Sequence, residues 1–216
     1  MWARSLQIEL ARCLNETSAP GRRGHARLPV VVRLSLAEWA VLAILAERPA
    51  HPFAVARLLA KNSELGQLLT VRRPLVYRAA ERLAAAALCR PDHTEPGQGG
   101  PERTIYRATP AGRRALAAWL REPVPRVRDL RPEFLLKVRL TVRAGDSALP
   151  LVEAQQAALA PAFSRLTAPE AGENEVSLWR RHTVAATRAY LEDLAARLRV
   201  GGPPGQSGPA PSANPG

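Results

Sequence analysis

The chain has 216 residues, 46% hydrophobic and 23% charged, enough for one ordinary domain or two small ones with a core of their own. Lysine and arginine number 31 against 19 acids, a net +12 that biases the protein toward nucleic acid ahead of an anionic membrane. Only Cys13 and Cys89 are cysteines, no C-x-x-C pair occurs, and no uncharged apolar run approaches ~18 residues, which argues against disulfide framework, structural zinc and membrane span.

Residues 1–33 carry six arginines and two glutamates and contain "SAPGRRGHARLP", a composition expected to stay disordered as a basic extension, with a short amphipathic helix around Leu6, Ile8, Leu10 and Leu14. The amino terminus lacks the apolar stretch of a signal peptide, so a cytoplasmic protein is expected and the sequon at Asn15 is idle. Ser35 with Glu38 three residues on forms a capping box for a helix with Leu36, Trp39, Ala40, Ala43, Ile44 and Leu45, ending near Glu47. "RPAHP" breaks the chain, and Phe53, Ala56, Leu59 and Ala60 mark a second helix stopping before Gly66.

The third predicted helix lies in "LLTVRRPLVYRAAERLAAAALCR". Its apolar arc is read as Leu75, Val76, Ala79, Ala80 and Leu83, with Ala84 to Ala87 keeping its end slim; Arg73, Tyr77, Arg78 and Glu81 face outward, with Arg82 at the flank. A short strand, a long tip "HTEPGQGGPE" and a second strand "RTIYRAT" predict a hairpin, whose Arg103 could touch the minor groove or backbone. Thr109 and Pro110 cap a helix running through Leu116, Trp119 and Leu120 and ending before Pro123. That order of parts is a winged helix-turn-helix, so the fold class is mainly α with a small β hairpin, an α+β arrangement.

Residues 123–200 are expected to form a helical dimerisation region beyond the 34–122 DNA-binding domain. It contains "RPEFLLKVRLTV", a helix bent near Pro161, and a last helix whose stripe of Trp179, Thr183, Ala186, Tyr190, Leu194 and Leu198 needs a partner. Residues 201–216, with five glycines and five prolines, are expected to be disordered. A two-fold homodimer would set its recognition helices about 34 Å, one DNA turn, or a multiple apart.

"LSLAEWAVLAILAERPAHPFAVARLL", "VYRAAERLAAAALCR", "IYRATPAGRRALAAWL" and "RDLRPEFLLKVRL" together resemble the PadR family of transcriptional regulators, over about Leu34 to Val200. The resemblance implies a homodimeric repressor of a near-palindromic operator that often responds to a small molecule. Carried onto this chain, Tyr77 takes the family tyrosine's place with Arg73 and Arg78 as outward neighbours, and Thr109 to Arg113 open the helix after the wing. Two departures stand out: Arg72 and Pro74 replace the serine and polar residue common at the recognition-helix start, and Pro52 replaces a glycine after His51.

Double-stranded DNA is the expected partner, contacted by Arg72, Arg73, Tyr77, Arg78, Arg82 and Arg103, since guanidinium suits guanine O6 and N7 as well as phosphate. A small aromatic effector would sit at the junction of the two regions near Trp119, Phe134 or Trp179, though plain core is the competing reading for these aromatics. No cofactor or metal is expected. Walker A, G-x-G-x-x-G, H-E-x-x-H and G-x-S-x-G sequences are absent, so an enzyme is not expected. Cys89 and His93 could make half a metal site, but Cys89 reads as a buried hydrophobe, His51 as a turn residue and His182 as a polar position. The rival non-enzymatic reading is a winged-helix adaptor or a protein that binds nucleic acid without sequence preference.

Overall fold

A computed structural model describes residues 33–96, 102–166, 172 and 174–200. Residues 1–32 of the expected basic extension, 97–101 of the predicted hairpin tip and the Gly/Pro tail lie outside them. Helix α1 spans Leu36–Glu47, and its capping box is formed: Ser35 N–H donates to Glu38 Oε2 at 2.6 Å while the Ser35 hydroxyl accepts from Glu38 N–H at 3.4 Å. Six successive residues, Ala40 to Leu45, are buried. A one-sided apolar stripe was expected there; instead α1 is the central helix, wrapped on all sides, with each large aliphatic contributing roughly 1.5 to 3 kcal/mol of burial.

Helix α2 spans Pro52–Leu58 and is shorter than expected. Ser63 then caps a separate short helix α3, Glu64–Leu68, which contains Gly66 where a stop was predicted. Gly66 fits because a Cβ there would lie 1.8 Å from the Ala60 carbonyl oxygen, a contact only glycine avoids. The helix expected as the third is therefore the fourth, α4, Arg73–Ala85. It ends in a Schellman turn, with Leu88 N–H donating to Leu83 O and Ala87 N–H to Ala84 O, and Ala87 takes φ +57 where glycine is usual.

Strands β1, Cys89–Glu95, and β2, Arg103–Ala108, pair antiparallel from Cys89 with Ala108 to Glu95 with Arg103. His93, Thr94 and Glu95, read as loop tip, belong to β1, and the register shifts between Pro91 and His93 as a bulge accommodates the proline. Ala50, read as part of a plain break, exchanges both backbone hydrogen bonds with Tyr106 at 2.9 and 3.0 Å, tying the α1–α2 turn to the wing.

Helix α5 spans Pro110–Arg121, capped by Thr109. Thr109 Oγ1 donates to Ala87 O at 2.8 Å and accepts from Gly112 N–H at 3.0 Å, and Gly112 packs directly on Leu88 O. A 3₁₀ turn, Val127–Asp129, and a π turn, Leu130–Phe134, lead into α6, Leu135–Arg143; α7, Leu149–Leu166, continues through Pro161, and α8 spans Glu175–Val200.

Two apolar clusters result. The first joins α1, α2, α4 and α5 and draws in Leu136 and Leu140 of α6; the second gathers Val124, Leu130 and Phe134 against α7 and α8. The joint is polar inside. Lys137, 1% exposed, pairs with Glu133 at 2.8 Å, donates to Glu122 O at 2.7 Å and lies 4.8 Å from the Trp119 ring, which stacks on Trp39 and donates to Glu133. Gln155, fully buried on α7, accepts from Val124 N–H and donates to Val124 O.

Candidate nucleic-acid interface

Val76, Ala79, Ala80 and Leu83 bury the inner face of α4. Relative to Val76 the other three lie within about 60° around the helix, whereas Leu75 lies about 100° away. Leu75 was read into the core and is instead 47% exposed. Ala85 and Ala87 are exposed as well, so of the run of alanines at the helix end Ala84 is the one packed against the first cluster, while Ala79 and Ala80 are buried. Outward on α4 stand Arg73, Arg78 and Glu81; Arg72 precedes the helix as its N-cap residue without a side-chain cap, and Pro74 lies in its first turn, where a missing N–H is harmless.

Arg73 is the best-fixed cation of this face. Its guanidinium sits 4.6 Å from the Phe53 ring centre and 5.8 Å from that of Tyr77, and Tyr77 meets His51 edge-on at 6.0 Å. Phe53, expected to mark the packed side of α2, is 42% exposed. Val55, Ala56 and Leu59 form the buried stripe, whose centre lies about 110° around the helix from Phe53, so the phenylalanine falls beyond its edge. His51 accepts from Phe53 N–H through Nδ1, capping α2 as a turn residue should. Burial first, then the charges of Arg103 and Arg73, hold its pKa below the ordinary 6.5, so the hairpin and α4 both act at this point.

Arg82 has an internal partner. Its guanidinium meets Glu38 Oε1 at 2.9 Å, and that carboxylate is almost fully buried while the arginine side chain stays mostly exposed. The pair thus fixes how α4 lies on α1. In the wing, Arg103 is exposed opposite Glu95, Arg107 pairs with Asp92 at 3.0 Å, and His93 lies between Glu95 and Asp92, whose hydrogen bonds hold its pKa above 6.5. Cys89 is buried with its thiol against Ala80 O, and burial pushes it up to about 11, which leaves no reactive thiolate. Among the described residues no group of His, Cys, Asp or Glu is arranged to hold a metal ion, and no helix is long and apolar enough to cross a membrane.

The other predicted sites are scattered. Trp119 and Phe134 are buried in different clusters and Trp179 is 68% exposed, so the three aromatics occupy three separate environments. On α8 the side packed on α7 is Val184, Leu191 and Ala195, with Leu194 and Leu198 partly covered by the same cluster, while Trp179, Ala186 and Tyr190 face outward.

No protein-family model matches the chain, and no curated protein matches it. Among solved structures it is similar to Bacillus subtilis PadR in complex with operator DNA, at 18% identity over 77% of this chain and 97% of that one, with a TM-score of 0.41. It is also similar to a PadR family transcription regulator from Clostridium difficile R20291, at 19% identity over 39% and 82% and TM-score 0.33. Two of these bear the PadR name. A third, the smu.1604c protein of Streptococcus mutans UA159, is 14% identical over 74% and 98%, with a TM-score of 0.36. With TM-scores below 0.5, the weight falls on the chain's own geometry.

Proposed function

We propose that this chain is a sequence-specific, PadR-type DNA-binding transcriptional regulator, a cytoplasmic homodimeric repressor of a near-palindromic operator. The observation that carries the reading is the outward face of α4: Arg73 held between Phe53 and Tyr77, and Arg78 beyond it, standing on a helix-turn-helix beside a wing that carries Arg103. Arg73, Tyr77 and Arg78 read bases, Arg72 and Arg103 hold phosphate, and Arg82 adds a phosphate contact with the part of its fork that Glu38 leaves free. Residues 34–122 supply DNA contact and 123–200 the dimer, through the uncovered Trp179, Ala186 and Tyr190 with Leu194 and Leu198 at the margin.

Duplexes selected from a random pool test the reading. Wild-type protein should prefer its selected site over random DNA, with affinity falling steeply as salt rises. Arg78→Ala should lose on the order of 1 to 3 kcal/mol on that site and less on random DNA. Equal loss on both demotes Arg78 to a phosphate contact, and absence of any sequence preference favours the adaptor or non-specific alternative. Light scattering should give a dimer mass that deletion of 147–216 abolishes. A small aromatic effector acting near Trp119, Phe134 or Trp179 would have to open the packing of the first two; tryptophan fluorescence and operator affinity, followed across a library of such compounds, report it.

A further inference from the structure

Leu75 is an exposed apolar side chain on α4. It stands in the first turns of α4, on the flank between the buried stripe and Arg78, and is 47% exposed although its own helix offers an apolar interface one residue away at Val76. A solitary exposed leucine on a protein surface needs no explanation. This one has neighbours that give it a use: Arg72, Arg73 and Pro74 directly before it and Arg78 one turn later are all exposed, so the apolar side chain is set into the cationic end of the recognition helix. The N-terminal residues of such a helix approach base edges. In the major groove the apolar feature at a base edge is the C5 methyl of thymine, which distinguishes A·T from the other pairs by contact alone.

We infer that Leu75 is a specificity-determining residue that packs on a thymine methyl of the half-site, next to the base pair read by Arg78. The inference rests on the DNA-reading function proposed above and adds to it a base identity and the residue that selects it. Arg78 and Leu75 are three positions apart, hence on adjacent ridges of the helix about one turn apart, and so address neighbouring base pairs. A guanine contact by hydrogen bonds and a thymine contact by apolar area would together form a dinucleotide code that neither side chain supplies alone.

Deoxyuridine differs from thymidine only by the missing methyl, so replacing thymines one at a time in the selected operator reads the contact at the level of a single group. With wild-type protein, one thymine in each half-site should show a roughly three- to fivefold loss on this exchange, the scale expected for burying one methyl. With Leu75→Ala the operator should bind more weakly and the same exchange should no longer matter, while exchanges at other thymines keep their wild-type effect. Leu75→Met, which retains apolar reach, should keep the sensitivity. A specific complex whose uracil profile is unchanged by Leu75→Ala overturns the role of Leu75 and leaves the DNA-reading function standing. Loss of preference for any duplex in the wild-type protein ends both.

Discussion

Gln155 offers the sharpest test of how the winged module is joined to the helices that follow it. Its amide is fully buried and pairs with both backbone groups of Val124: Oε1 accepts from the N–H at 2.7 Å and Nε2 donates to the C=O at 2.8 Å. Val124, itself 1% exposed, leads from α5 toward the turns preceding α6 and has no strand or helix ladder to satisfy it there. Gln155→Leu keeps the volume and removes both partners at once. Two neutral hydrogen bonds are worth about 1 kcal/mol each, and the orphaned N–H and C=O add desolvation, against which the lost burial of the polar amide is a partial offset. The net loss should be about 2 to 5 kcal/mol, which for a chain of this size is on the order of 5 to 15 °C in melting temperature. Thermal unfolding followed by circular dichroism measures it, with protein concentration held fixed because a dimer couples assembly to stability. A Gln155→Leu protein within ~0.5 kcal/mol of wild type would refute the reasoning, because it would mean that water or rearrangement satisfies the Val124 peptide.

Four further outcomes follow from single contacts. Ala87→Gly should stabilise the protein by about 0.5 to 1 kcal/mol in urea unfolding, because the φ of +57 strains a Cβ and glycine relieves it. Gly112→Ala should destabilise it by about 1 to 3 kcal/mol, since the added Cβ would lie 2.0 Å from Leu88 O and force the wing's base off α5. Phe53→Ala should weaken specific DNA binding by about 0.5 to 1 kcal/mol through a less ordered Arg73 while leaving the salt slope unchanged, as no charge is lost. In NMR titration His93 should titrate above 6.5 and His51 below it. The contacts of His93 with Glu95 and Asp92 then support the wing fully below 6.5 and fade as pH rises through its folded pKa, whereas the contribution of His51 is complete above 6.5 and is lost as pH falls through its folded pKa.

What the sequence by itself determined was local and periodic. The Ser35–Glu38 box, the Thr109–Pro110 cap and the outward placement of Arg73 and Arg78 are written within a few residues of each other, because caps and helix faces depend only on the spacing along one element. Tertiary structure decided the rest. No spacing rule could bury all of Ala40 to Leu45, since a central helix gains its partners from α2, α4, α5 and α6 at once. No local signal pairs Ala50 with Tyr106 or Arg82 with Glu38, contacts that join residues 56 and 44 positions apart. Leu75 shows the division most clearly. Its hydrophobicity assigned it to the core, but the buried face of α4 is the arc holding Val76, Ala79, Ala80 and Leu83, so a leucine about 100° from Val76 is left in solvent at the end of the helix that carries the arginines.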